Sequence, residues 1–211
     1  MNKKLIYGLF IIIAFIGIIL IFNQNIEDSL INNMTKNNMN QSITHKQNQK
    51  AIYNFNNVKN VNATGIFNAI TDNNDKSTII GKIFIPAVGI KLPIYLGLAN
   101  NNLISGIGTM IKNQKMGKNN YALAGHHMKN DKLLFGPLMK VKINNLIYIT
   151  DGTKIYQYKV KIKKIINEYQ VNWVTQKPKK SVITLITCAT GNPNETNRIM
   201  VRGNLEKNIQ K

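Results

Sequence analysis

The residues best suited to chemistry in this 211-residue chain are a single cysteine, two arginines and three histidines. Cys188 closes an apolar run over residues 183–188, and a lone thiol, which cannot form an intramolecular disulfide, is either a small core hydrophobe or a nucleophile. Arg198 follows after the intervening loop 189–197. If the flanking runs pair as a hairpin, about 4.8 Å apart, thiol and guanidinium share its open end. There the guanidinium could stabilise a thiolate or a developing oxyanion. Packing along the sheet, or pairing with Glu195 or Glu206, is the structural alternative. A base could come from His126 or His127, which end the apolar run 121–125. Adjacent strand residues point to opposite faces, so only one of the two can face the thiol. The same geometry makes the pair a poor chelate, and with only nine carboxylates in the chain neither a metal site nor a cofactor is expected. Arg202 lies about 13 Å further along an extended strand, too far to reach the same atoms, so Arg202→Lys is expected to be nearly silent.

Strands are needed to bring these groups together. Residues 79–85 read as a strand stopped by Pro86, and 90–96 as a second, entered through Pro93. Residues 121–125 and 146–150 supply two more, and Asp151-Gly152 marks a tight turn into the clearest strand of the chain. In it Tyr156, Tyr158, Val160 and Ile162 alternate with Gln157, Lys159, Lys161 and Lys163, so one face is buried and the other wet. Residues 181–188 and 198–203 complete seven or eight short strands, with few helical stretches, foremost 100–107 and 133–141. The pattern predicts an all-β barrel.

Ahead of the barrel, residues 5–22 carry no charge and are dominated by large aliphatic side chains. As a helix they would extend roughly 27 Å, close to a bilayer's hydrocarbon thickness, and they are read as an uncleaved membrane anchor rather than a signal peptide. Lys3 and Lys4 precede the run and Glu27 and Asp28 follow it, which puts the amino terminus in the cytoplasm and the rest outside. Residues 23–76, rich in Asn, Gln, Ser and Thr, read as a polar stalk with one weak helix, and His45 within it as a solvated side chain. The expected organisation is therefore 1–22 anchor, 23–76 stalk and 77–211 folded domain. The net charge of +19 would attract anionic lipid, wall polymer or nucleic acid. Because the bases are almost all lysine in an Asn- and Ile-rich sequence, the charge reads as compositional bias, and no nucleic-acid partner is expected.

The run Thr184-Leu185-Ile186-Thr187-Cys188, with Arg198 ten residues on and Ala124-Gly125-His126 before it, resembles the class A sortases, transpeptidases of Gram-positive surfaces. The likeness covers about residues 79–205. It implies an eight-stranded sortase barrel with one or two short helices, Cys188 as nucleophile, His126 as the acid that protonates the leaving amine, and Arg198 as stabiliser of oxyanion and substrate. His126 is favoured over His127 because it directly follows the Ala-Gly pair. By the same likeness Ala124 and Thr187 line the groove, and residues 168–176, with Glu168, Tyr169 and Val171, close over the substrate. That substrate would be a Leu-Pro-any-Thr-Gly sorting signal on a surface protein, cut between Thr and Gly. A cell-wall precursor amine, carried on lipid-linked peptidoglycan precursor, would then resolve a thioester. A pilin-polymerising sortase, another exported thiol transpeptidase and a non-catalytic surface-binding module are the rival readings.

Overall fold

Ile79–Ile85 (β1) has every second side chain buried, and Pro86, which lacks a donor, opens a short 3₁₀ turn over Pro86–Val88. Gly89, at φ 71°, reverses the chain into Ile90–Tyr95 (β2), which pairs antiparallel with β1. The remaining strands are Ile107–Thr109 (β3), Asn120–Gly125 (β4), Leu146–Thr150 (β5), Lys154–Asn167 (β6), Val182–Cys188 (β7) and Asn197–Gln210 (β8). They close a barrel in the order β1-β2-β3-β4-β7-β8-β6-β5. Its interior is filled by fully buried side chains, among them Ile83, Ile94, Leu123, Phe135, Leu138, Ile149, Tyr158 and Leu185. The computed structural model describes residues 3–44, 51–53, 58, 61–71 and 78–210.

The Asp151 turn forms as expected. Asp151 Oδ1 accepts from the amides of Thr153 (2.9 Å) and Lys154 (2.8 Å), and Gly152 takes φ 93°. Along β6 the alternation buries Tyr156, Tyr158 and Val160, then breaks at a register shift between Val160 and Ile162. Beyond this bulge Ile162 and Ile166 lie opposite Arg202 and Arg198, and Ile166 packs with Ile186 and Met200 outside the barrel interior, while Ile165 is exposed.

Two expected helices are much shorter in the structure. Only Asn100–Leu103 (α3) is helical within 100–107, because Ile107 and Gly108 instead join β3, parallel to β2 at Ile94 and Tyr95. Glycine permits that approach: a Cβ on Gly108 would lie 2.1 Å from the Gly97 carbonyl oxygen. In 133–141 the regular portion is a 3₁₀ stretch, Gly136–Lys140, with Pro137 in its first turn.

The segment after the apolar run contains helix. Lys3–Asn40 is one 38-residue helix (α1). Asp28, Ile31, Met34 and Asn38 recur at helical spacing and meet the barrel. Ile31 is fully buried, Asn130 Nδ2 donates to Asp28 Oδ2 (2.9 Å), and Asn38 Nδ2 donates to Ser105 Oγ (3.0 Å). A second helix, Ala63–Thr71 (α2), starts where Asn62 Oδ1 accepts from the Gly65 amide (2.8 Å), and buries Ile66. His45 lies outside the described residues. Among the described residues no helix is long and apolar enough to cross a membrane. Several side chains of 5–22 lie outside that description, while Tyr7, Phe10–Ile13 and Phe15 are exposed.

Candidate active site

Three neighbouring strands carry the candidate reactive residues. β4 runs parallel to β7, with Ala122 opposite Thr184 and Ala124 opposite Ile186. β7 runs antiparallel to β8, with Thr184 opposite Arg202, Ile186 opposite Met200 and Cys188 opposite Arg198. Cross-strand partners share a face, so the face that turns away from the barrel interior holds these pairs in successive rows. The first row is Cys188 and Arg198 at the open end of the hairpin. His126, the residue after β4, comes beside Cys188 because both strands end there.

These groups line a cavity of about 540 Å³ together with Ala124, Thr187 and Glu168. Thr187 Oγ1 donates to the Gly125 carbonyl (2.8 Å), which ties the ends of β7 and β4 together beneath it. His127 is placed differently. Its Nδ1 lies 2.9 Å from the Cys188 carbonyl oxygen, and since a carbonyl only accepts, the proton sits on Nδ1. His127 thus braces the backbone of the cysteine, while His126 shares the cavity with its thiol.

Burial dominates the electrostatics of both groups. It lowers His126 to a pKa of about 4, so its imidazole is neutral at pH 7. It raises the Cys188 thiol above its ordinary value, outweighing Arg198, which favours the thiolate. The resting pair is a thiol and an uncharged imidazole.

Arg198, 7% exposed, is held on two sides. Nη2 meets Glu168 Oε2 at 2.5 Å, and Nη1 donates to the carbonyls of Glu195 and Asn197. It thus forms an ion pair with Glu168, while Glu195 offers it a backbone carbonyl. Glu168 opens the segment expected to close over substrate, and its amide donates to Thr196 O (2.9 Å). Next to it lies a second cavity, of about 610 Å³, lined by Tyr169, Val171, Val174, Ile186 and Arg198. Tyr169 is 80% and Val171 61% exposed at its rim. Asn172–Thr175 (α4) forms the turn behind them.

Two wall residues escaped the sequence reading because they precede the barrel. Val58 lines the thiol cavity and packs with Leu98, Leu103 and Ala124. Tyr53 lines the second cavity, near Ile52, whose carbonyl accepts from the Leu98 amide (2.6 Å). Nothing in their local composition marks them. Arg202 is also more engaged than spacing suggested: it is 6% exposed and hydrogen-bonded to three partners. Among the described residues no cluster of three or more His, Cys, Asp or Glu is arranged to hold a metal.

The sortase-domain family profile matches residues 83–206. Sortase A of Listeria monocytogenes is 39% identical over 203 residues, covering 93% of this chain and 90% of that protein. Sortase A of Streptococcus agalactiae is 36% identical over 225 residues, covering 98% and 90%. The crystal structure of the Listeria monocytogenes sortase A superposes with a TM-score of 0.61 at 42% identity, over 63% of this chain and 90% of that one.

Proposed function

This chain belongs to the sortase family of cysteine transpeptidases, and from that premise we propose that it is a class A enzyme acting on Leu-Pro-any-Thr-Gly sorting signals. The observation that carries the proposal is the convergence of Cys188, His126 and Arg198 on one cavity, with Ala124 and Thr187 beside them. In the reaction the Cys188 proton passes to His126 as sulfur attacks the Thr carbonyl carbon, and Arg198 donates to the oxyanion. The imidazolium then protonates the Gly nitrogen as the Thr–Gly bond breaks, leaving a thioester. An amine of a lipid-linked cell-wall precursor attacks that thioester, its surplus proton returns through His126, and the thiol is restored. Because both resting groups are neutral, the thiolate and imidazolium arise only as the proton moves from Cys188 to His126 during sulfur attack.

The proposal includes attachment to the membrane. Residues 5–22, preceded by Lys3 and Lys4, would anchor the chain with its amino terminus in the cytoplasm and the barrel facing surface proteins that bear C-terminal sorting signals. Docking of α1 on the barrel supports a continuous connection between anchor and barrel.

The test is incubation of the full-length protein in detergent with a Leu-Pro-any-Thr-Gly peptide and a set of amines, read by product mass spectrometry. The expected product is the Thr acyl group joined to an amine, absent from Cys188→Ala. An uncut peptide, or a cut at any other bond, contradicts the substrate assignment.

A further inference from the structure

The structure assigns Arg202, with Asn120 and Thr184, as positioning residues that hold the substrate-closing segment 168–176 against the barrel, an inference that rests on the reading of that segment as part of the peptide groove. The three come from three strands, β8, β4 and β7, and all are buried. Arg202 Nε donates to Thr184 Oγ1 (3.1 Å), Nη1 to Gln176 Oε1 (3.2 Å) and Nη2 to the Trp173 carbonyl. Thr184 Oγ1 in turn donates to Asn120 Oδ1 (2.7 Å). Asn120 Nδ2 donates to the carbonyls of Trp173 (3.0 Å) and Val174 (2.7 Å). A four-residue helix leaves its final carbonyls without intrahelical donors, and here the strands supply them. Buried, fully paired polar networks of this kind fix one arrangement of the elements that they join.

The network acts on the groove through α4. Trp173 and Val174 pack on Ile186, Met200 and Ile166, and the Arg202 guanidinium lies 4.8 Å from the Trp173 ring centroid. From the other side of the same turn, Val171, Val174 and Thr175 line the cavity that Arg198 also borders. Glu168, at the start of the segment, pairs with Arg198. The turn that Arg202 pins therefore shapes the peptide wall and carries the partner of the oxyanion donor. Lysine cannot reproduce three divergent donors and a stacked plane, so Arg202→Lys is far from silent, contrary to the expectation from strand spacing alone.

The role differs from that of a catalytic residue, since Arg202 lines neither the thiol cavity nor its wall, and the test exploits the difference. In the full-length protein, Arg202→Lys should raise KM for the sorting peptide about tenfold with kcat changed by less than about threefold, and leave Cys188 alkylation by iodoacetamide at its wild-type rate. Hydrogen exchange should quicken across 168–177 and stay unchanged in β7. Gln176→Ala, which alters only the loop partner, should show the same pattern more weakly, and it decides the matter if Arg202→Lys does not fold. Unchanged KM and unchanged exchange in 168–177, or a fall in kcat with KM unchanged, would overturn the assignment. The exchange measurement needs no substrate, so it still tests the Arg202 network if the wild-type protein proves inactive on this peptide, a result that would count only against the substrate reading.

Discussion

Side-chain environment separates residues that look alike in sequence. His126 and His127 are adjacent, yet the first lines the thiol cavity and the second bonds the Cys188 carbonyl. His126→Ala should abolish transpeptidation, whereas His127→Ala, which loses one hydrogen bond worth about 1 kcal/mol, should slow it about fivefold. Equal losses at the two positions in steady-state kinetics would reverse that division of roles. Arg198→Lys should lower the rate by about 10²–10³, because the proposed oxyanion donor and its paired contact with Glu168 are lost together. Since burial raises the Cys188 pKa above its ordinary 9.0, iodoacetamide alkylation should keep accelerating through pH 9 rather than level off near neutrality. A plateau at or below pH 7 would show that the resting pair is ionised.

Strand elements with clean patterning could be read from the sequence, and those whose form depends on distant partners could not. β1, β5 and the Asp151 turn carry alternation and turn chemistry in their own residues, and they form within the expected bounds. β3 is three residues long and exists because glycines 97, 106 and 108 allow close backbone approach, a cause invisible in a hydropathy pattern. At the site, Cys188 and Arg198 were placed by hairpin logic that the β7–β8 register matches. Val58 and Tyr53 were missed because their position follows from how the chain before the barrel returns across it. Arg202 was misjudged because distance along β8 says nothing of a loop folding over the strand. Beside α4, Lys112, Lys115, Lys118 and Lys177 surround a small cavity of about 250 Å³ between the β3–β4 and β6–β7 connections. With ammonium groups there, a divalent cation gains no oxygen cage, so chelator added to pure protein should leave the rate unchanged. A several-fold loss restored by calcium would contradict this.

At the scale of the whole molecule, α1 joins the segment proposed as the membrane anchor to the catalytic barrel through Ile31, Met34 and two side-chain hydrogen bonds. Truncating a fully buried isoleucine leaves a cavity, so Ile31→Ala should destabilise the protein by about 2–4 kcal/mol in denaturant unfolding. A change below about 0.5 kcal/mol would mean that the helix does not dock in solution. Protease added to intact wall-stripped cells should remove the barrel, and its survival until the membrane is permeabilised would invert the topology. Transpeptidation by this route requires that Cys188 carry the cleaved peptide as a thioester. Intact-mass spectrometry of the full-length protein, quenched in acid after brief exposure to a Leu-Pro-any-Thr-Gly peptide without amine, measures this directly. The expected result is a mass increase equal to the peptide through Thr, located on Cys188 and discharged by added amine; peptide cleavage with no adduct on Cys188, or equal cleavage by Cys188→Ala, would contradict the thioester route.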